Sequence, residues 1–308
     1  MLLFKIGESM KNKTIFCIGH ASFDITLPLN EYPRENDKVR TYSKIECGGG
    51  SASNACVLIA LWGYKPYFIG AVGDDYFGDR VIGAFDYHGV NTTYLDQLEN
   101  HHTSTSFVMS ANDTGKRTIV TFKDKDLYLE PFDIKEQADV ILCDGEHLEL
   151  TQKILATNPH ALKIIDAGTL RNDTLTLCYA MDYVVCSKSF AEDVTKKKFN
   201  FRNKDNLKKI YDLLEEKFKT KIIITLEEKG SYTKIDDEYE LVPSIAIDVV
   251  DSTGAGDVYH GALTYFLANE YNLKEAMRLS NIAGALSCTK LGGRFSIPTL
   301  KDVLDYDK

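Results

Sequence analysis

Short apolar runs that alternate with amphipathic stretches constrain the fold of this chain more than any other feature. Thr14–Ile18, Tyr67–Val72, Val140–Cys143, Lys163–Asp166, Tyr183–Cys186 and Lys221–Leu226 read as buried strands. Between them, Ala52–Trp62, Asp79–Tyr87, Leu150–Thr157, Asn172–Tyr179 and Asn203–Phe218 space their apolar residues as helices do. The alternation predicts an α/β fold with a doubly wound, mainly parallel sheet flanked by helices, and ligands at the strand C-terminal ends. Two regions, 23–46 and 103–122, break it. They carry Thr, Val, Ile and Tyr with turn signals at Ala111-Asn112-Asp113-Thr114-Gly115, and are expected to pair antiparallel. A length of 308 residues suffices for one sizeable domain or two smaller ones. No internal repeat, low-complexity tract or separating linker is evident.

The chemistry concentrates in Asp251-Ser252-Thr253-Gly254-Ala255-Gly256-Asp257, which runs straight into a helical pattern over Val258–Ala268. Small central residues let successive backbone N–H groups converge on one point. Unpaired amides and the positive end of the helix dipole then make an anion site, with phosphate as its natural occupant. Asp257 has two readings. It is a favourable acid in a first helical turn, or a general base for a hydroxyl attacking a phosphoryl group held by Gly254, Ala255 and Gly256. Local chemistry leaves both open.

This septet resembles the C-terminal signature of the ribokinase (PfkB) family of sugar and nucleoside kinases. Gly48-Gly49-Gly50-Ser51-Ala52-Ser53-Asn54-Ala55 resembles the N-terminal one, and Val72-Gly73-Asp74-Asp75-Tyr76-Phe77-Gly78-Asp79 and Gly292-Gly293-Arg294 are familiar there. The resemblance runs from Thr14 to about Leu304 in the family's order. It implies a single ribokinase-like α/β domain over 1–308. Segments about 23–46 and 103–122 are then inserted as a β lid over the sugar, doubling as a homodimer surface. It also implies transfer of the γ-phosphoryl group of ATP, with Mg²⁺, to a hydroxyl of a small sugar. Asp257 is then the base, and the amides of Gly254, Ala255 and Gly256 the anion hole. Asp24, Gly49, Gly50 and Asn54 are the implied sugar ligands. Without the resemblance, Asp24 reads as a turn residue and Asn54 as a satisfied helix residue. Ser189, Glu192 (to Mg²⁺ through water), Thr225, Gly230 and Asn281 are the implied nucleotide residues. Asp251 and Thr253, with carbonyls of Cys288–Ser296, are the implied site of a monovalent cation, K⁺.

The chain departs from the family pattern at two places. Ser189 stands where Asn-x-x-Glu has its Asn, and Glu227 replaces a glycine in Thr225-Leu226-Glu227-Glu228-Lys229-Gly230. The charge of Glu227 would oppose a triphosphate unless it points away. Ala52-Ser53-Asn54, Ser187-Lys188 and Glu227-Glu228 resemble ketohexokinases, and Val249–Leu263 with Cys288–Arg294 resembles sulfofructose kinase. Both act on ketoses, so a ketose or ketose derivative is the expected substrate. Against this, Ser51 stands where ketohexokinases carry a sugar-contacting Asn, and no arginine for a sulfonate is evident near Asp144–His147. Lys116 and Arg117 would suit an anionic substrate, although solvated charges are commoner at a strand edge. A nucleoside kinase of the same fold and a catalytically impaired sugar-binding sensor are the alternatives.

Composition narrows the remainder. Hydrophobic residues at 44% and charged ones at 26% lie in the globular range. A net charge of −9 argues against binding to nucleic acid or anionic membranes. Seven cysteines form no CxxC pair and mostly sit in apolar runs, so they read as reduced core residues. No secretory leader or bilayer-length apolar run is evident, and the cytoplasm is the expected compartment. Gly48–Ser53 half-fits a dinucleotide fingerprint, but Ser53 replaces its last glycine and no clear buried strand leads into it. Thr114-Gly115-Lys116-Arg117 lacks the rest of a P-loop.

Overall fold

The computed structural model describes residues 13–111 and 117–306; the expected turn at Asn112–Gly115, and Lys116, lie outside the described residues. In chain order the strands are β1 (Ile15–Ile18), β2 (Ser22–Leu29), β3 (Ile45–Gly49), β4 (Tyr67–Gly73), β5 (Asn91–Leu98), β6 (Thr105–Ala111) and β7 (Arg117–Phe122). They continue as β8 (Val140–Cys143), β9 (Leu162–Ala167), β10 (Tyr183–Ser187), β11 (Lys221–Thr225), β12 (Ser231–Ile235) and β13 (Glu238–Val242). The helices are α1 (Ser51–Leu61), α2 (Tyr76–His88), α3 (Leu148–Thr157), α4 (Asn172–Leu177), α5 (Lys188–Thr195), α6 (Lys204–Phe218), α7 (Ala255–Ala268), α8 (Leu273–Ser287) and α9 (Leu300–Tyr306).

The main sheet has the order β13-β12-β11-β10-β9-β8-β1-β4-β5. It is parallel from β5 to β11 and ends in an antiparallel hairpin, β12–β13. Asp236 and Asp237, with φ of 48° and 65°, make the two-residue turn of that hairpin. Alternate residues of one strand enter different cores. Ile15 and Cys17 of β1 join Leu142, Val185 and Ile223 under α1, α7 and α8. Phe16 and Ile18 join Ile141, Val184 and Ile222 under α3 to α6. Helices therefore cover both faces, and this is why the central strands are continuously apolar.

The second sheet has the order β3-β2-β6-β7. β2–β3 and β6–β7 pair antiparallel as expected, but β2–β6 pairs parallel, from Phe23↔Thr105 to Leu29↔Ala111. Between β2 and β6 the chain passes through the main body, so β6 re-enters the small sheet from the same end as β2. Asp75 couples the two sheets. Its carboxylate caps α2 at the Gly78 amide (2.8 Å) and accepts from the amide (2.9 Å) and hydroxyl (2.7 Å) of Thr103, just before β6.

Candidate active site

A close helix crossing creates the site. Gly261 on α7 lies against α1 so tightly that an added Cβ would sit 2.9 Å from the carbonyl oxygen of Ala55. One residue before Ala55, the Nδ2 of Asn54 donates to the Oδ2 of Asp257 at 2.7 Å. The carboxyl of Asp257 is pushed up to about 6, first by burial and then by the nearby charge of Asp166; the Asn54 hydrogen bond and His260 pull the other way. His260, one turn further along α7, sets Nδ1 2.6 Å from the carbonyl oxygen of Gly256 and Nε2 3.2 Å from that of Val185. Asp166, at the end of β9, lies 3.3 Å from the same Nδ1.

Gly254 caps α7 in the left-handed region (φ 78°), and nothing lies within 4 Å of a Cβ placed on Gly256. The first amides of the helix have no intrahelical acceptor. Buried Asp251 holds this loop: Oδ1 accepts from the amide (2.9 Å) and hydroxyl (2.6 Å) of Thr253, and Oδ2 from the Gly292 amide (2.9 Å). Asp251 and Thr253 are thus brought to the loop 288–296. One carboxylate beside loop carbonyls also suits a weakly coordinated monovalent cation.

The three glycines before α1 serve three different needs. A Cβ on Gly48 would lie 2.1 Å from Nη1 of Arg294, and one on Gly49 would lie 2.2 Å from Oδ2 of Asp24. Gly50, with φ 95°, is the N-cap of α1 and passes 2.3 Å (from its virtual Cβ) below the His20 carbonyl oxygen. Asp24 is on β2, where the Ser22 hydroxyl donates to it at 2.9 Å; burial raises its pKa against the opposing effects of Ser22, Ser106 and Arg294. Contrary to expectation, a strand does lead into Gly50. It is β3, which belongs to the small sheet, so the dinucleotide arrangement is still not formed.

At the C-terminal ends of β10 and β11, Ser187, Lys188, Ser189, Glu192, Thr225 and Glu227 line a pocket of about 190 Å³. Glu227 has φ 56°, which explains why glycine is usual there, and its carboxylate lies 3.9 Å from the Lys188 ammonium. Ser189 shares a 2.8 Å hydrogen bond with Ser187, which caps α5 at the Phe190 amide. Glu192 accepts from Lys198 (2.7 Å) and the Phe199 amide (2.9 Å). Two carboxylates and three hydroxyls form a donor set that suits hydrated Mg²⁺. Gly230 and Asn281 lie outside this lining. A Cβ on Gly230 would meet the Val242 carbonyl oxygen at 2.1 Å, while buried Asn281 donates to Ser231 (3.1 Å) and to the Val242 carbonyl (2.9 Å). Both shape the β12–β13 hairpin beside the pocket.

The sequence reading missed Arg171 and its partner Glu146, and took Arg117 as a strand-edge charge that would suit an anionic substrate. Arg171 reaches Asp144–His147 after all: it donates to the Asp144 carbonyl at 2.8 Å and pairs with Glu146. Burial opposes ionisation of Glu146, but Arg171 and Lys123 hold its pKa at about 2. Arg117 on β7 contacts the Ser252 hydroxyl in the loop before α7. No local pattern joins residues so far apart in sequence.

The pfkB carbohydrate kinase family profile matches residues 12–300. The chain belongs to this family. As a pfkB kinase it is 25% identical over 303 residues to a deoxyribokinase of Salmonella typhi, covering 95% of this chain and 98% of the relative. It is 24% identical over 308 residues to a ribokinase of Haemophilus influenzae, covering 96% and 98%. A provisionally named ribokinase of Agrobacterium tumefaciens superposes with a TM-score of 0.88 at 25% identity, covering 96% and 97% of the two chains. The ribokinase of Arabidopsis thaliana, solved with ribose and ATP, superposes with a TM-score of 0.78 at 22% identity, covering 95% and 98%, and shares the fold. This pfkB protein is a carbohydrate kinase with the mainly parallel sheet and small second sheet of the ribokinase fold.

Proposed function

We propose that the chain transfers the γ-phosphoryl group of ATP to a hydroxyl of a small sugar, with Asp257 as general base. The 2.7 Å Asn54–Asp257 hydrogen bond carries this reading, because it joins the glycine-led helix of the sugar side to the anion-hole helix at one carboxylate. The attacking hydroxyl, held by Asp24, Gly49, Gly50 and Asn54, gives its proton to Asp257. Charge on the phosphoryl group meets the amides of Gly254, Ala255 and Gly256 and the positive end of α7. The transition state is loose, so positioning matters more than basicity. A carboxyl at about 6 is still ionised at neutral pH and is a better base than an ordinary aspartate.

ATP phosphates would lie against Ser187, Lys188, Ser189 and Thr225, with Gly230 and Asn281 shaping the wall. Mg²⁺, held through water by Glu192, would neutralise phosphate charge. K⁺ would sit at Asp251 and Thr253. A ketose or ketose derivative is the first candidate substrate, on the ketohexokinase- and sulfofructose-kinase-like residues. The names of the curated relatives set ribose and deoxyribose beside it. Outward Phe107 (46% exposed), Val120 (58%) and Phe122 (51%) on the lid support a homodimer through that face. Seven buried free cysteines support a reducing compartment, the cytoplasm.

The test is a coupled ADP-release screen with MgATP, with and without potassium, over ketoses, pentoses, sugar acids, phosphosugars and nucleosides. Asp257→Asn should lower turnover by about 10²-fold or more and leave sugar binding by calorimetry nearly intact. Near-normal turnover in that variant removes Asp257 as base. A nucleoside hit would change the substrate class, and sugar binding without turnover would make the chain a sensor.

A further inference from the structure

Arg294 lies in the core, 4% exposed, yet its hydrogen-bond partners are all neutral. Nε donates to Oδ1 of Asn54 at 3.2 Å, and Nη2 reaches the Gly49 carbonyl (3.5 Å) and the Ser53 hydroxyl. The guanidinium stacks over Phe85 at 5.4 Å, and Nη1 has no hydrogen-bond partner. A charge buried with no hydrogen-bonded carboxylate, and with Asp24 and Asp257 acting on it only through space, carries a heavy desolvation penalty, and an apolar residue of similar volume often serves stability better. Packing alone is therefore a poor reason for an arginine here, and the bond to Asn54 supplies a better one.

An asparagine amide presents an acceptor at one end and a donor at the other, and the ends exchange by a flip of the amide. Arg294 has only donors. While Nε occupies Oδ1, Nδ2 must face Asp257, as observed. The constraint matters most once Asp257 has taken a proton. A protonated carboxyl can donate, and a free amide would turn Oδ1 toward it and trap the proton. With Oδ1 held by Arg294, that trap is closed.

We propose that Arg294 is a positioning residue for phosphoryl transfer, fixing the amide of Asn54 so that its nitrogen always meets Asp257. This rests on Asp257 acting as the base. Asp166, His260 and Asp24 also bear electrostatically on Asp257, as does the charge of Arg294 itself, but the Asn54 side-chain amide is bonded to Asp257 and Arg294.

The experiment is Arg294→Met in the full chain, assayed with MgATP and the sugar chosen by the screen, alone and combined with Asn54→Ala. We expect kcat to fall at least about ten-fold with KM for MgATP within about two-fold and the melting temperature unchanged or higher. In the Asn54→Ala background, the same substitution should change kcat by less than about three-fold, because its target is gone. Equal losses in both backgrounds, a kcat loss that tracks a lower melting temperature, or full turnover in Arg294→Met would each overturn the proposal. Should Arg294→Met not fold, Gly48→Ala takes its place: the new Cβ, 2.1 Å from Nη1, displaces the guanidinium and should give the same selective loss of kcat. Wild-type protein with no sugar-dependent ADP release would sink the kinase reading instead. The side-chain amide resonances of Asn54 then decide the positioning alone. They should keep one orientation through the titration of Asp257 in wild type and exchange between two in Arg294→Met; identical behaviour refutes it.

Discussion

If Asp257 is the base, the acid limb of kcat/KM reports its ionisation, and Asn54→Ala should move that limb in a known direction. With the pKa near 6, the limb lies about two units above that of an ordinary aspartate, whose usual value is 3.8. At pH 5 about a tenth of the enzyme carries the active carboxylate, so kcat/KM falls about ten-fold per unit below the midpoint. The Asn54 amide stabilises the charged form at 2.7 Å. A hydrogen bond to a charged group contributes about 1.5–3 kcal/mol, or about 1–2 pKa units. The variant's midpoint should therefore rise to between about 7 and 8. The stability sign is the reverse of the usual aspartate case. A pKa raised in the folded state stabilises below the unfolded value, and that contribution is lost as pH rises through about 6, a difference of about 3 kcal/mol at most. Asp257→Asn should then melt no lower than wild type at pH 8. Coupled ADP release from pH 5 to 9, at subsaturating sugar, measures the limb. A wild-type midpoint near 4, or one that stays put in Asn54→Ala, refutes the reasoning.

Three further substitutions, with a fourth as control, test separate parts. Gly49→Ala places a Cβ 2.2 Å from the Asp24 carboxylate; KM for the sugar should rise by about ten-fold or more with the melting temperature little changed, and unchanged sugar affinity would take Asp24 out of the pocket. Gly261→Ala meets backbone of α1 at 2.9 Å, which cannot yield as a side chain would; overpacking should cost about 1–3 kcal/mol in denaturant unfolding. Gly83→Ala in α2, with nothing within 4 Å, is the control and should stabilise by about 0.5–1 kcal/mol. Glu227→Gly relieves a left-handed residue at φ 56° and removes a charge from the pocket; KM for MgATP should fall and stability rise by about 1 kcal/mol. An increase in KM would mean that the Lys188–Glu227 pair serves the nucleotide.

What could be read from the chain depended on the range of each interaction. The central strands were legible because burial on both faces leaves a continuous apolar run, as in Val140–Cys143. β5 escaped notice because it is an edge strand, where Thr92, Thr93, Asp96 and Gln97 face partly outward. The parallel pairing of β2 with β6 had no local signal at all, since strand direction depends on where the intervening body sends the chain. The septet Asp251–Asp257 stood out as a candidate anion site through its own small residues, and Asn54 through its family signature. Its bond to Asp257 spans 203 residues, and no periodicity reports such a distance.

The glycine triplet shows the limit most clearly. Gly48, Gly49 and Gly50 look alike in sequence, and the resemblance marked the last two as sugar ligands. In the folded chain each lacks a Cβ for its own reason: Gly48 passes the Arg294 guanidinium, Gly49 the Asp24 carboxylate, and Gly50 takes a positive φ under the His20 carbonyl. Alanine should therefore give a different loss at each position. At Gly48 it should lower kcat, at Gly49 it should raise KM for the sugar, and at Gly50 it should reduce stability. A shared phenotype at all three would mean that the loop tolerates no side chain for one common reason, and the separate roles of Arg294 and Asp24 would lose their support.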